Sequence, residues 1–318
     1  MKKAIPVILL LALCIGSLFI GVTDIHIKDL FMLEQKKTTV MVISRIPRLL
    51  SILLSGMGIS VAGVIMQMIG ANRFLSPTTG STTEWARLGV LTAVLVTPSA
   101  TVFQKMGIAF LFAFGGTLLF LYLMQIARLK DAEQVPLVGI LFGNVVGAVT
   151  TYIAYQNDLI QNITSWMQGS FTMILKGRYE LLYIGLPLLA LALLYADRFT
   201  VVAMGKDISG NLGVRYFSTL QIGVVIIALI TSGILVTVGS VPFVGIVIPN
   251  IVRMIYGDNL RKNLVPIALL GGSFVLLCDI VSRLIIYPFE VPIGISVGII
   301  GCVLFLILLF KGGPREAR

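Results

Sequence analysis

The stretch that decides the fold is residues 239–311, which read GSVPFVGIVIPNIVRMIYGDNLRKNLVPIALLGGSFVLLCDIVSRLIIYPFEVPIGISVGIIGCVLFLILLFK. Three apolar runs in this stretch alternate with short polar connectors at residues 257–262 and 283–290. A run of about 20 apolar residues is long enough to cross the hydrocarbon core of a membrane as a helix. The first run, residues 243–256, is shorter and contains Pro249, so a short or broken helix is predicted there.

The composition of the whole chain indicates the same class of protein. Of its 318 residues, 57% are hydrophobic and only 12% are charged, whereas an ordinary soluble domain has about 25% charged residues. At about 20 residues per crossing, roughly ten helices with short connectors fill the chain. We therefore predict an all-α polytopic membrane protein, with residues 1–318 forming a single transmembrane domain.

The charged residues and cysteines exclude several other classes. The net charge of +10 could suggest a nucleic-acid partner, but the basic residues punctuate the apolar runs instead of clustering. Anchoring at the membrane surface explains them, so no nucleic acid is predicted. Cys14, Cys278 and Cys302 lie inside apolar runs without paired spacing, which predicts small buried apolar residues. Because the chain has one histidine, His26, we predict neither a metal site nor a cofactor.

Four ordered motifs in the last quarter resemble a known family. They are GSVPFVG at 239–245, IPNIVR at 248–253, DIVSR at 279–283 and EVPIG at 290–294. These resemble successive signatures of the iron-siderophore and cobalamin permeases of bacterial ABC importers. The resemblance implies a type II ABC importer permease fold in the bacterial plasma membrane. With ten spans and both termini in the cytoplasm, Lys and Arg divide fifteen to nine between the inner and outer sides, and this bias supports the orientation. The resemblance also implies a transport subunit without enzymatic activity, because ATP hydrolysis belongs to a partner chain.

The outer side of the predicted topology carries arginines close to apolar runs. Residues 4–22 form the first transmembrane helix, since the run is too long for a signal peptide and no clear cleavage site follows. Arg45 and Arg48 then lie outside, before the second span at residues 49–70. The resemblance implies that Arg45, Arg48 and Arg283 receive the substrate-binding protein. The alternative is that they snorkel to lipid headgroups.

The second span has a face of small residues and a polar residue near its inner end. Gly56, Gly58, Ser60 and Gly63 would let another helix approach closely. Gln67 is either a hydrogen-bond partner between helices or a residue that lines a pore.

The resemblance also implies a translocation path and a cytoplasmic gate. Residues 72–80 depart from the usual Asn-Pro-Leu-Ala-x-Pro pattern at Arg73 and Phe74, and are similar to a branch that handles catecholate-type siderophores. The residues implied for the path and gate are Gln67, Asn72, Phe74, Asp131, Glu133 and Trp166. For Asp131 and Glu133, a solvated inner turn is the alternative.

Further spans are predicted at residues 88–102, 107–127, 136–155, 181–196 and 221–238, with a short outer helix at 157–169 that contains Trp166. Glu84 beside the third span is expensive in a membrane unless it is paired or hydrated. Arg87 follows three residues later, where it can pair with Glu84 on a helix. Asp279 and Arg283 have the corresponding four-residue spacing.

The longest amphipathic stretch between spans is predicted at about residues 200–216. Its glycine and lysine at 205–206 are not a phosphate-binding loop, because the upstream glycine and the following Ser or Thr are missing. The resemblance implies two short helices that insert into a groove of the ATPase; a plain amphipathic surface helix is the alternative. The residues assigned to ATPase coupling are Gly205, Lys206, Asp207, Ile208, Gly210, Leu212, Gly213 and Val214.

Together these features predict a permease subunit that passes a ferric siderophore inward. The implied partners are a cytoplasmic ABC ATPase, a lipoprotein or periplasmic substrate-binding protein, and a second permease that is identical or paralogous. Haem or cobalamin are alternative substrates of the same importer type. A proton- or sodium-driven secondary transporter is the rival class; it needs ion sites near mid-membrane. Asp279 is its one strong candidate site, and Arg283 can neutralise it.

Overall fold

The computed structural model describes residues 5–20, 39–127 and 134–311. These ranges are helical almost throughout, which confirms the all-α prediction. The helices are α1 Ile5–Phe19, α2 Ile46–Ile69, α3 Thr82–Val96, α4 Val102–Ala127, α5 Gln134–Gln156, α6 Ile160–Met167, α7 Gly185–Val202, α8 Lys206–Asn211, α9 Tyr216–Thr237, α10 Val244–Tyr256, α11 Leu260–Leu284 and α12 Ile293–Lys311. A π-helical turn, Met41–Arg45, leads into α2, and a 3-10 turn, Glu180–Ile184, leads into α7.

Seven of the described helices are long and apolar enough to cross a membrane: α2, α4, α5, α7, α9, α11 and α12. Three shorter helices, α1, α3 and α10, are 15, 15 and 13 residues long. The long and the shorter helices together agree with the prediction of about ten segments. His26, the one histidine of the chain, lies outside the described residues.

α2 is the central helix of the bundle, and it packs against α7, α9, α10 and α11. Its small residues make this possible. A Cβ atom added to Gly56 would lie 2.5 Å from the backbone oxygen of Gly271 on α11. One added to Gly63 would collide with the backbone of Gly245 on α10. The small-residue face predicted for the second span is therefore the contact surface for two helices.

The chain between α9 and α10 makes a sharp turn. Gly239 and Phe243 have φ angles of +95° and +62°, so the backbone turns sharply before α10 begins. The first turn of α10 then packs against Gly63, well inside the span of α2. The short helix predicted around Pro249 is confirmed.

Several spans begin or end at other residues than the sequence predicts. α2 begins before residue 49 and includes Arg48; α3 is Thr82–Val96 where residues 88–102 were predicted; and α7 continues beyond residue 196 to Val202. In each case the prediction treated a charged residue as a boundary. In the structure Arg48, Glu84 and Asp197 lie within these helices, and each has an oppositely charged partner.

Candidate functional site

Ionic contacts join α2, α11 and the connector to α12 at one end of the bundle, which we call the arginine end. Arg48 places Nη1 2.7 Å from Oε1 of Glu290, and Nη2 2.8 Å from Oδ1 of Asp279. Nη2 of Arg283 lies 2.6 Å from Oδ2 of Asp279. The pair predicted between Asp279 and Arg283 therefore exists, within a network of four residues. Two arginines and two carboxylates make this network neutral.

Arg283 is the most enclosed arginine of the network. Its side chain is 6% exposed, and it donates hydrogen bonds to the carbonyl of Ile20 and to Oγ of Ser17, at 2.7 and 2.6 Å. Asp279 is 1% exposed. Arg283 thus holds the end of α1 against α11, and its guanidinium does not face solvent in this structure.

Arg45 and Arg48 are the partly exposed arginines at this end. Arg45 donates to the carbonyl of Leu18 and is half-buried. Arg48 is 15% exposed. The structure therefore brings together all three arginines that the sequence assigned to docking, and it places Arg283 beneath the other two.

Glu290 lies in the connector between α11 and α12, outside the spans. Burial alone would raise the pKa of its carboxyl group. Hydrogen bonds from Arg48 and from Thr172, and the positive charges of Arg48 and Arg283, outweigh that effect and hold the pKa of Glu290 below its usual range. The hydroxyl of Thr172 donates to Oε2 of Glu290 at 2.7 Å. The connector is thereby fixed to the segment that follows α6.

Trp166 lies on α6 at the same end and is 39% exposed. The segment after α6 passes close to the starts of two other elements. Gly169 accepts a long hydrogen bond of 3.4 Å from the backbone N–H of Gly294 on α12, and a Cβ atom at Gly169 would collide with the carbonyl of Ser240. This arrangement places Trp166 beside the segment that enters α10.

Residues 72–80 form a compact loop at the opposite end, which we call the α8 end. Oδ1 of Asn72 accepts from the backbone N–H of Phe74 at 2.9 Å, and Asn72 is buried. Nδ2 of Asn250 donates to the carbonyl of Arg73 at 2.9 Å, which ties the loop to α10. Asn72 therefore shapes the loop from within.

Phe74 faces a cavity of about 370 Å³ at this end. Asn250, Arg253 and Phe305 also line this cavity, and the rings of Phe74 and Phe305 meet edge to face at 6.1 Å. Of the two gate residues in residues 72–80, Phe74 borders open space and Asn72 does not. Asp131 and Glu133, the other predicted gate residues, lie outside the described residues.

Gln67 is 2% exposed and lies between α2 and α10. Its Nε2 atom donates to the carbonyl of Gly245 at 3.4 Å. Of the two alternatives for Gln67, the structure shows the hydrogen bond between helices. In this structure the side chain does not line an open pore.

The predicted coupling segment contains α8 and two turns. Gly205 and Gly213 flank the helix with φ angles of +101° and +72°. Oγ of Ser209 anchors α8 by donating to the carbonyls of Gly205 and Val201, at 2.7 and 3.0 Å. Ile208 and Leu212 are left 47% and 59% exposed. The remaining assigned residues occupy the same segment: Lys206, Asp207 and Gly210 in α8, and Val214 in the turn that follows.

The expectation of two short helices in this segment is wrong. The structure has one, because Gly213 adopts a left-handed conformation and Arg215 is extended before α9 begins at Tyr216.

Comparison with known proteins shows similarity over almost the whole chain. The model of the FecCD transport family matches residues 8–311. The chain belongs to the FecCD transport family. This FecCD permease is 47% identical over 311 residues to the petrobactin import system permease protein YclN of Bacillus subtilis, covering 98% of each chain. It is 38% identical over 300 residues to the ferric-anguibactin transport system permease protein FatD of Vibrio anguillarum, covering 94% and 96% of the two chains.

A solved structure supports the fold of the FecCD permease. This is a metal-chelate-type ABC transporter in an inward-facing conformation, with a TM-score of 0.82 and 24% identity over 96% of this chain and 97% of the other. The type II importer permease fold is thereby confirmed. The FecCD permease is a multi-pass membrane subunit of a bacterial ABC importer and is not the catalytic subunit. Such a permease works with an ATPase and a binding protein.

Sequence reasoning missed two contacts of the FecCD permease. It did not connect Arg48 with Asp279 and Glu290, which are 231 and 242 residues away. It also did not connect Gln67 with α10. One signal was present for the first contact: a carboxylate directly before the apolar run of α12 needs a nearby cation.

Proposed function

We propose that this permease carries a ferric siderophore of the petrobactin or anguibactin type inward across the plasma membrane. The observation that carries the proposal is the 47% identity to a petrobactin import permease over 98% of both chains. The variant loop at residues 72–80, similar to the catecholate branch, supports the same substrate class. Energy comes from a separate cytoplasmic ABC ATPase.

We propose that the α8 end faces the cytoplasm and the arginine end faces outward, with both termini inside. The distribution of basic residues supports this orientation. The α8 end carries Arg73, Arg198, Lys206, Arg215, Arg253, Arg261 and Lys262. At the arginine end, Arg48 and Arg283 are neutralised by Asp279 and Glu290. Counted over the whole sequence, Lys and Arg are nevertheless more numerous on the side of the α8 end, as the positive-inside rule expects of the cytoplasmic side.

We assign docking of the substrate-binding protein to the arginine end. Arg45 and Arg48 supply the partly exposed guanidinium groups, which bind carboxylates through two parallel donors. Arg283 takes part from beneath, because it fixes Asp279 and so the position of Arg48. The binding protein is a lipoprotein or a periplasmic protein.

We assign the contact with the ATPase to residues 205–214. The exposed side chains of Ile208 and Leu212 give this segment an apolar surface at the α8 end. The anchoring of Ser209 to the end of α7 would transmit a push on α8 directly to a transmembrane helix.

We propose that a second permease, identical or paralogous, completes the translocation path. Most of the apolar stretch of α5 and of α12 is not buried within this chain. That surface is available for lipid and for a second subunit. The six residues assigned to the path and gate remain part of this proposal. Phe74 borders a cavity and Trp166 is exposed, while the buried Gln67 and Asn72 would act by supporting the neighbouring elements.

The test is reconstitution of the permease with its binding protein and ATPase in proteoliposomes, followed by uptake of radioactive iron as ferric petrobactin. Uptake that needs ATP, and that stops with a hydrolysis-deficient ATPase, supports the proposal. Haem and cobalamin serve as competitors, and effective competition by either would reassign the substrate. Uptake that continues without ATP but follows a proton gradient would support ion coupling. Asp279, the candidate ion site of that rival, lies between two arginines that neutralise it.

A further inference from the structure

A second charged pair lies deep inside the membrane-spanning part of the chain. α5 has 23 residues, which makes it about 34 Å long, and Gly143 and Gly147 lie about 14 and 20 Å from its start. Cβ atoms built on these two glycines would lie 3.5 Å from Cγ and 3.1 Å from Oε2 of Glu84. The carboxylate of Glu84 therefore lies beside the middle of a transmembrane helix.

Glu84 is paired with Arg87, but the pair is not enclosed. Nη1 of Arg87 lies 3.4 Å from Oε2 of Glu84, and the two side chains are 21% and 31% exposed. The pair at Asp279 and Arg283 is 1% and 6% exposed. Nε of Arg87 has no hydrogen-bond partner among the residues that the structure describes. Charged groups at this depth are costly against lipid, so such groups face protein or a water-filled cavity.

The exposed surface of α5 has two sides that differ in polarity. With 3.6 residues per turn, Asn144 and Thr151 fall on the side next to Gly147 and Glu84, and both are exposed. The exposed apolar residue Ile140 lies on the same side, one turn closer to the start of α5. Leu141, Val145 and Val149 fall on the side turned away from Glu84, and they are also exposed. The side turned away from Glu84 suits lipid or a packed subunit interface, whereas Asn144 and Thr151 offer polar groups to water in the middle of the helix.

We propose that Glu84, Arg87, Asn144 and Thr151 form a polar strip that lines the translocation path at mid-membrane and contacts the ferric siderophore as it passes. This assignment rests on the proposed import of a siderophore. Arg87 would donate to anionic oxygens of the chelate, and Glu84 would accept from its N–H groups. Gly143 and Gly147 let the side chain of Glu84 lie against the backbone of α5, and the side chain is 31% exposed there.

Water access can be tested without knowledge of the substrate. In the assembled importer, with Cys14, Cys278 and Cys302 replaced by alanine, single cysteines are placed by Asn144→Cys and Thr151→Cys. Val145→Cys and Val149→Cys are matched controls on the same helix. A charged methanethiosulfonate reagent should label the first two and spare the controls, which should react only with a lipid-soluble maleimide. If neither Asn144→Cys nor Thr151→Cys reacts with the charged reagent in an importer that still hydrolyses ATP, the strip does not line an aqueous path.

Substrate contact is tested by exchanging the charges. The double variant Glu84→Arg with Arg87→Glu keeps the pair neutral, so a purely structural role predicts normal uptake of ferric petrobactin. Contact with the substrate predicts a normal membrane level and ATPase activity, but uptake reduced by about tenfold or more, since a charge-assisted hydrogen bond is lost. Full uptake by this variant overturns the contact. If the wild-type importer transports neither ferric petrobactin nor ferric anguibactin, the proposed function fails, while the labelling result still decides whether water reaches the strip.

The exchange of Asp197 and Arg261 is the control for charge reversal itself. That pair lies at the α8 end with side chains 62% and 69% exposed. Asp197→Arg with Arg261→Asp should leave uptake unchanged. A loss equal to that of the Glu84 and Arg87 exchange would show that reversal of any ion pair impairs the importer, and would overturn the assignment of a specific contact.

Discussion

The side-chain amide of Gln67 donates to the backbone carbonyl of Gly245, which is the carbonyl that Pro249 leaves without its helical partner. In a regular helix the N–H of residue 249 would bond to the carbonyl of residue 245. Proline has no N–H. A polar residue on α2 thus replaces a hydrogen bond that the sequence of α10 cannot make. This relationship explains a buried glutamine and a tolerated proline at the same time.

We expect Gln67→Leu to lower the free energy of unfolding by about 1–3 kcal/mol, the cost of leaving a buried polar group unsatisfied. In a Pro249→Ala background, residue 249 regains an N–H for the carbonyl of Gly245, so the same change should cost clearly less. Thermal unfolding of the wild type, the two single variants and the double variant in detergent measures this coupling. Equal costs in both backgrounds would show that Gln67 does not compensate for the proline.

Asp279→Ala should reduce stability more than transport per folded molecule. The change leaves Arg283 without its carboxylate and Arg48 with Glu290 alone. Removing one partner of a fully buried ion pair costs about 3–5 kcal/mol. Asp197→Ala, which breaks a pair of exposed residues, should cost no more than about 1 kcal/mol. If Asp279→Ala unfolds at the wild-type temperature yet loses transport, the residue has a functional role instead of a structural one.

Arg45→Glu should leave the membrane level of the permease normal and lower its affinity for the binding protein. The loss of affinity should be smaller at high salt, because exposed charges are screened. A Glu→Arg change on the binding protein should restore part of the affinity. Lys105→Glu, also on the proposed outer side, is the control. Unchanged affinity for Arg45→Glu at low ionic strength would remove Arg45 from the docking surface.

Arg48→Glu should behave differently from Arg45→Glu. The sequence alone predicts normal membrane levels for both. The structure predicts a reduced level for Arg48→Glu, because a third carboxylate would lie against Asp279 and Glu290. Quantitative immunoblots of membranes compare the two variants, and similar levels would contradict the structural expectation.

Leu212→Asp should prevent co-purification of the ATPase without removing the permease from the membrane. Leu212 is 59% exposed in the segment assigned to coupling, so an aspartate there is tolerated by the fold but disrupts an apolar contact. Gly213→Asp should have the same effect, with some added strain from the left-handed backbone. Lys262→Asp, on an exposed residue at the same end, should retain the ATPase. If the Leu212→Asp variant also retains the ATPase, the coupling contact must lie elsewhere in the permease.

Acidification should weaken the ion pair between Glu290 and Arg48. A carboxyl group whose pKa is lowered by folding stabilises the folded state above its unfolded pKa, and this contribution is lost as the pH falls through the folded value. The difference in melting temperature between wild type and Glu290→Gln should therefore be largest near neutral pH. It should shrink below about pH 4, where an ordinary glutamate becomes protonated. A difference that widens on acidification would contradict the assignment.

Local spacing in the sequence predicted much of the fold. Periodic apolar runs gave the helices and the short α10, and spacings of three and four residues gave the pairs of Glu84 with Arg87 and of Asp279 with Arg283. The sequence also predicted the small-residue face of α2, but it did not predict which helices pack against that face. The docking, coupling and gate roles came from the resemblance to a family and not from physical reasoning about single residues.

The missed features depend on contacts between distant parts of the chain. Nothing near Arg48 indicates that its carboxylates lie on α11 and in the connector to α12, so the start of α2 was placed too late. The partner of Gln67 is likewise 178 residues away. A charge looks like the end of a membrane span until its partner is known, which is why the predicted boundaries failed at charged residues.

The distance along the chain between Arg48 and its carboxylates has a consequence for biosynthesis. When α2 leaves the ribosome, neither Asp279 nor Glu290 has been made, and the glycine face of α2 also lacks α11. Until these carboxylates are made, Arg48 is an uncompensated charge at the membrane, which is costly. We expect a chain ending at residue 259 to have a shorter lifetime in pulse-chase experiments than the full chain. An unpaired Arg48 would thus distinguish incomplete translation products from the finished protein until the last quarter of the chain is made.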